Sequence, residues 1–362
     1  MFKQPFSIIL ILILALFAAI SFLPIVVTKL SWISLNVNKP NEIGDTIGGI
    51  LGPIVGFLGV VVTFLAFWMQ YKANEKQFKK FDEQDEDTKV ERFENKFYEL
   101  LKIHRDNVNE FEIVRNDDKE NLKGRRIFVE MFNELEYTYL IVKTISIKLN
   151  EDSEPTAYKF SDDDSFNVSY LLFFNGFSDW SILDSEPASL SEFRLLDIKL
   201  NPLLINALKF LAHVRTKQAK QLLSQPEIQL TDKLMMFPLP KVTFTLFGGH
   251  NSRLGHYYRN LFQIVTFVVN SNIKENDKYS YVKIIRAQLS NHEQLLLYYN
   301  SLSPYGQPWL DNHYFNDWRM IKNIPIDMAH FYKTPRELFE KKNKYGKYIF
   351  EVDEIASRMK KI

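Results

Sequence analysis

Between Gly248 and Asn260 the chain reads Gly-Gly-His-Asn-Ser-Arg-Leu-Gly-His-Tyr-Tyr-Arg-Asn, its densest run of polar chemistry. Two glycines precede a candidate helix cap, Asn251 or Ser252. The free N–H groups at a helix start favour anions. Gly249, His250, Ser252, Arg253, His256 and Arg259 would surround such a terminus with donors suited to a phosphate. Arg286 and Gln288, on the next predicted helix, could complete that ligand-binding set. The same spacing also fits a tight turn whose polar side chains cap a helix and bridge to its neighbours.

The second cluster is Arg286-Ala-Gln-Leu-Ser-Asn-His-Glu-Gln294. Arg286 and His292 are weak catalytic candidates: their spacing fits the loose Arg…His pattern of HEPN-type ribonucleases. In those enzymes Arg and His from two protomers promote attack by a ribose 2′-hydroxyl. Alanine follows Arg286 where such enzymes usually carry a polar residue. A buried polar network joining this helix to the preceding one is the competing role. The chain has no phosphate-binding Walker A loop, no His-Glu-x-x-His and no Gly-x-Ser-x-Gly. His104 lies on an apolar helix face and reads as a hydrogen-bonded core histidine, while His213, His313 and His330 are scattered. With no cysteine, disulfides and thiolate metal sites are excluded. Asp162-Asp-Asp164 reads as a solvated loop or a cap rather than a metal site. No metal or cofactor is implied, and no complete catalytic set is present.

The elements that position these residues are mostly helical. Phe93, Phe97, Leu100, Leu101, His104, Val108 and Phe111 follow three-and-four spacing, which predicts one long helix over Tyr71–Phe111. Its Ala73–Lys89 portion is highly charged, with Phe78 and Phe81 as apolar contacts, and reads as a solvated, self-associating stalk. A second helix is predicted over Gly124–Val142, with Ile127, Phe128, Met131, Phe132, Leu135 and Tyr139 on one face. Further helices are predicted at Asn167–Phe177, Glu192–Leu222, Arg253–Asn270 and Lys278–Ser301. Asn150–Ser165 reads as a loop, and Lys241–Phe247 is the best strand candidate. From Pro304 a tail rich in Pro, Trp, Tyr and Asn is expected to wrap the helical body, with a short helix at Pro335–Lys342. Thirty phenylalanines supply a sizeable core, and the balance of 45 basic and 44 acidic residues excludes a globally basic nucleic-acid binder. Local basic patches leave nucleic acid open as a partner.

The amino-terminal region is of another kind. Gly44, Gly48, Gly52 and Gly56 recur every four residues, and no charge lies between Thr46 and Gln70. That spacing places all four on one helix face, where bare backbone lets another helix approach closely in lipid. The partner is either the first apolar span, with its small Ala15, Ala18, Ala19 and Ser21, or a second copy of the chain. That first span, Gln4–Thr28, is long enough to cross ~30 Å of hydrocarbon and reads as a retained anchor rather than a cleaved signal. Lys72, Lys76, Lys79 and Lys80 follow the second span, so the positive-inside bias puts both termini in the cytoplasm. Trp32, Phe67, Trp68 and Tyr71 suit the interfaces. The expected organisation is a two-span hairpin over 1–70, a charged helical stalk over 71–92 and a helical cytoplasmic domain over 93–362.

Most of the length resembles the phage abortive infection family often called AbiC-like. The resemblance rests on the Gly-rich span ending Thr63-Phe-Leu-Ala-Phe-Trp-Met-Gln70 and on Arg92-Phe-Glu-Asn-Lys-Phe-Tyr-Glu-Leu-Leu-Lys-Ile-His104. It continues through Gly124-Arg-Arg-Ile-Phe-Val-Glu-Met131, Gly249–Arg259 and Arg286-Ala-Gln-Leu-Ser290, followed by Glu293-Gln294. His292 stands where that family is expected to carry tyrosine. The resemblance implies a bacterial or prophage-encoded defence protein at the inner membrane. Implied partners are membrane lipid, a second copy of the chain, and a phage-derived protein or nucleotide signal. The resemblance implies little about mechanism, and the residues leave three open: a membrane effector, favoured by the glycine ridge; an anchored ribonuclease or nucleotide-binding enzyme, with Arg286 and His292 favouring the ribonuclease; and a non-catalytic binder of a phage component.

Overall fold

The computed structural model describes residues 40–114, 120–177, 196–222 and 246–360, with a few positions between 15 and 22. The chain divides into two compact units, Met1–Lys89 and Val90–Ile362. Among the described residues the architecture is mainly helical, with one antiparallel pair of two-residue strands.

Helix α1 spans Pro40–Asn109 and passes through Pro53 without interruption. Among the described residues it is the one helix long and apolar enough to cross a membrane, and none of its apolar window is buried. At 1.5 Å per residue the charge-free Thr46–Gln70 stretch is roughly 37 Å long, more than a bilayer's hydrocarbon thickness. Phe57, Phe64, Phe67 and Trp68 are exposed along it. A Cβ built on Gly44, Gly48, Gly52 or Gly56 would meet nothing within 4 Å among the described residues. Beyond Gln70 the charged stretch carries local ion pairs, Lys72 with Glu75 at 3.1 Å and Lys89 with Asp85 at 2.9 Å. Phe78 and Phe81 are exposed there. The first apolar span lies almost entirely outside the described residues.

The second unit begins where α1 becomes a packing helix. Phe93, Phe97, Leu101, His104 and Val108 are buried along one face, as their spacing predicts. The helix stops at Asn109, and Phe111 packs into the core from the loop beyond. Strands β1 (Glu112–Ile113) and β2 (Leu122–Lys123) then form a short ladder that the sequence did not announce. Helix α2 runs Arg126–Asp152, well past the expected end at Val142, because Ile145 and Ser146 continue its buried face. It packs against α3 (Asp162–Asn175), α4 (Asn201–Leu222) and α7 (Asn291–Ser301).

Helix α3 starts five residues earlier than expected. Ser161 and Asp164 form a reciprocal capping box, which makes the three aspartates a helix start. Helix α4 begins at Asn201 after a 3₁₀ turn at Ile198–Leu200, and the expected start at Glu192 lies outside the described residues. The expected strand at Lys241–Phe247 lies mostly outside the described residues, and Leu246 and Phe247 occupy a turn. Helix α5 is Asn251–Val269. The single helix expected over Lys278–Ser301 is two, α6 (Glu275–Ala287) and α7. Ser290 breaks it: its hydroxyl accepts from Glu293 N–H, while the Glu293 carboxylate accepts from Ser290 N–H at 2.7 Å. An N-cap residue leaves the helical conformation to reach its own first turn, so the helix must restart there.

The tail carries α8 (Pro308–Asp311), a 3₁₀ turn at Ile326–Met328, α9 (Pro335–Leu338) and α10 (Glu351–Met359). As expected, it lies against the helical body. Tyr332 stacks on Phe166 of α3 at 4.1 Å, and Phe331 stacks on Tyr299 of α7 at 4.1 Å. Asp163 ties the two together, accepting from Lys333 Nζ at 2.9 Å and the Tyr332 hydroxyl at 2.8 Å.

Candidate functional site

The Gly-rich turn ahead of α5 is built by backbone contact. Gly249 (φ +80) and Gly176 (φ +71) lie so close that a Cβ on either would sit 2.3 Å from backbone beside the other. Only glycine combines that conformation with that approach. Two hydrogen bonds hold the pair: His250 N–H to Phe174 carbonyl at 2.8 Å, and Phe177 N–H to Phe247 carbonyl at 3.0 Å. Phe247 itself has φ +60, an uncommon conformation for a large side chain.

Glu134 of α2, fully buried, reaches the same turn. One oxygen accepts from Phe247 N–H at 2.9 Å, and the other lies 3.2 Å from His250 Nε2. The His250 ring packs on Phe173 with centroids 4.8 Å apart. The expected cap at Asn251 or Ser252 is displaced by one residue. His250 is the N-cap residue, and its carbonyl accepts from Arg253 and Leu254 N–H while its ring turns inward to Glu134.

A second buried carboxylate, Glu293 of α7, sits across α5. It accepts from the Tyr257 hydroxyl at 3.2 Å and pairs with Arg125 at 3.5 Å. Arg125 also donates to the Gln288 carbonyl, so one guanidinium spans the α6–α7 turn. Burial, with the Glu293 carboxylate beside it, holds the Tyr257 hydroxyl well above its ordinary pKa, which keeps it a donor. The His104 ring lies 5.0 Å from that of Tyr257. It is a core histidine, but neither ring nitrogen completes a hydrogen bond among the described residues, against expectation. Burial lowers its pKa to about 4, with a further push from Arg125 and a partial offset from the Asn260 carboxamide. His104 is therefore neutral at pH 7.

The residues expected to form one anion site take separate partners. Arg253 donates to the Glu112 carbonyl of β1 at 3.0 Å. Arg259 donates to the Gly255 carbonyl at 3.0 Å and lies 3.3 Å from His256 Nδ1, both side chains being exposed. Ser252 is exposed on the first turn of α5. Arg286 is buried and donates to the Arg319 carbonyl at 2.9 Å, with its pKa lowered by burial against the pull of Glu351 and Glu354. Gln288 contributes its carbonyl to Arg125. His292, half-buried, meets Phe132 edge-on at 5.8 Å. Burial lowers its pKa. What the structure assembles is a polar seam, with Glu134 and His250 buried on one side and, on the other, buried Tyr257 and Glu293 reaching the exposed Arg125. Glu134 belongs to no sequence motif, and its one signal is that it falls on the predicted apolar face, three residues after Met131 and seven after Ile127.

These features define a mainly helical domain whose turns are held by buried carboxylates. Residues 249–329, from the Gly-rich turn through α8 to Ala329, match the model of a family described as "Putative phage abortive infection protein". The match bears out the resemblance read from the sequence and points to a role in phage abortive infection. No curated protein and no solved structure matches the chain. Among the described residues there is no group of three or more His, Asp or Glu side chains placed to hold a metal ion.

Proposed function

We propose that this chain is a membrane-anchored anti-phage abortive infection protein of the bacterial inner membrane. Residues 93–362 form a cytoplasmic sensing domain, and a two-span hairpin over 1–70 carries the response. The family match at 249–329 supports the defence role. The observation that carries the membrane reading is α1 itself. One continuous helix holds an unburied, charge-free segment and, further along, the buried Phe93–Val108 face. Its glycine ridge has no neighbour among the described residues, which suits a helix face that meets another helix in lipid. An infection signal acts on the domain, and the spans of several copies assemble and breach the membrane.

The test is a potential-sensitive dye read during phage infection of cells carrying the protein, with bulk RNA followed in parallel. Loss of membrane potential while RNA stays intact is the expected result. Retained potential with fragmented RNA overturns the membrane effector in favour of a ribonuclease. Protection with neither change overturns it in favour of a binder of a phage component.

A further inference from the structure

Away from the polar seam, the start of α6 and the tail enclose a cavity of about 250 Å³. That is slightly below the roughly 300–1,000 Å³ of drug-sized sites. Tyr279, Trp318 and Tyr345 give it aromatic walls, and Glu275, Asp317 and Lys347 are among its charged lining residues. The lining is mostly apolar with a few polar groups, the composition of a small-molecule site.

Its floor is unusually constrained. Arg319 has φ +54, a conformation that costs a non-glycine residue energy and that clusters at functional sites. The surroundings hold it there. Arg286 of α6 donates to its carbonyl at 2.9 Å, and its own guanidinium donates to the Tyr348 carbonyl at 2.9 Å and to the Tyr279 hydroxyl. Asn343 fixes another part of the lining. Its side-chain oxygen accepts from Tyr345 and Lys347 N–H, while its amide donates to the Asn316 carbonyl at 3.2 Å. The walls are therefore set before any ligand arrives, which lowers the ordering cost of binding.

The charges around the rings indicate what fits. Aromatic walls with nearby carboxylates could cage a quaternary ammonium group. Here, however, cations already stand against two of the rings. The Arg319 guanidinium lies 4.7 Å from the centre of Tyr279, and Lys344 Nζ lies 5.1 Å from that of Tyr345. Those two ring faces are therefore already taken. Trp318 is half-buried, and among the described residues its ring has neither an aromatic nor a cationic partner. It offers a free face to a neutral planar ring. Lys344 is neutralised by Asp317 at 2.7 Å, whereas Lys347 has no carboxylate within ion-pair reach among the described residues. A flat ring against Trp318 with an anion at Lys347 describes a nucleotide, whose base stacks on any aromatic face and whose phosphate takes charge-assisted hydrogen bonds.

We infer that the Trp318 cavity binds a mononucleotide, with the base on Trp318 and the phosphate at Lys347. Arg286 holds Arg319, and Arg319 in turn contacts Tyr279. The inference does not depend on the defence role or on membrane insertion.

The full chain in detergent micelles is titrated with the four ribonucleoside monophosphates, their nucleosides and choline, following tryptophan fluorescence and heat. Saturable binding of at least one monophosphate is expected, with Kd at or below about 1 mM. Its nucleoside should bind about tenfold more weakly. Trp318→Ala should abolish the fluorescence change. Lys347→Glu, a substitution at an exposed side chain, should remove the advantage of monophosphate over nucleoside while leaving the melting temperature unchanged. That second variant decides the matter if Trp318→Ala fails to fold. Absence of saturable binding by all four monophosphates overturns the inference. So does equal binding of nucleoside and monophosphate by the parent protein, or choline binding more tightly than any nucleotide.

Discussion

Glu134→Ala would remove the acceptor that Phe247 N–H and the His250 ring share inside the core. A buried polar group that loses its partner costs about 1–3 kcal/mol. The substitution should lower the melting temperature accordingly, and Glu134→Gln, which keeps an oxygen for Phe247, should lower it less. Equal melting of Glu134→Ala and the parent would show that the carboxylate does not hold the Gly-rich turn. His104 makes the complementary point for a base. Its folded pKa of about 4 lies below the ordinary 6.5, so between those values the unfolded chain binds a proton that the folded chain does not. Stability from this residue is therefore complete above pH 6.5 and lost as pH falls toward 4. The loss amounts to about 3 kcal/mol. His104→Phe should flatten the fall in melting temperature between pH 7 and pH 4.5. An unchanged pH profile in that variant would remove His104 as its source.

Helix α1 combines two environments in one element. Its Phe93–Val108 face is buried, whereas Gly48 and Gly52 have open space where a side chain would project. A Cβ at either glycine meets no described atom of another element within 4 Å, and the fold of residues 90–360 should be unaffected by leucine there. If the ridge meets another helix in lipid, the added bulk prevents close approach. Gly48→Leu with Gly52→Leu should then abolish phage protection at equal protein level. Undiminished protection would dispose of the ridge as a functional contact. Crosslinking through a cysteine placed in this naturally cysteine-free segment would separate packing within one chain from packing between copies.

For the whole molecule, the proposed arrangement follows from the lysines after Gln70. Lys72, Lys76, Lys79 and Lys80 favour the cytoplasmic side of the membrane. A reporter fused after Lys80 should therefore show the cytoplasmic signal. A periplasmic signal there would reverse the orientation of everything that follows, including the Gly-rich turn and the Trp318 cavity.

Periodicity alone determined that the chain is mainly helical and where most helices lie. These are local properties: apolar spacing along a helix repeats within a few residues and can be counted. The reciprocal Ser290–Glu293 cap that divides α6 from α7 was also written in the sequence, but the apolar pattern continued across it and masked it. Tertiary structure decided the partners. Arg253, Arg259 and Arg286 stand close in sequence or on adjacent helices, yet each turns to a different backbone carbonyl. The groups that do converge, Glu134 with His250 and Arg125 with Glu293, come from sites more than a hundred residues apart. Such pairings depend on which helix faces meet when the core closes. A buried carboxylate takes whatever donors that closure brings within reach, because leaving it unpaired costs more than any local preference can supply.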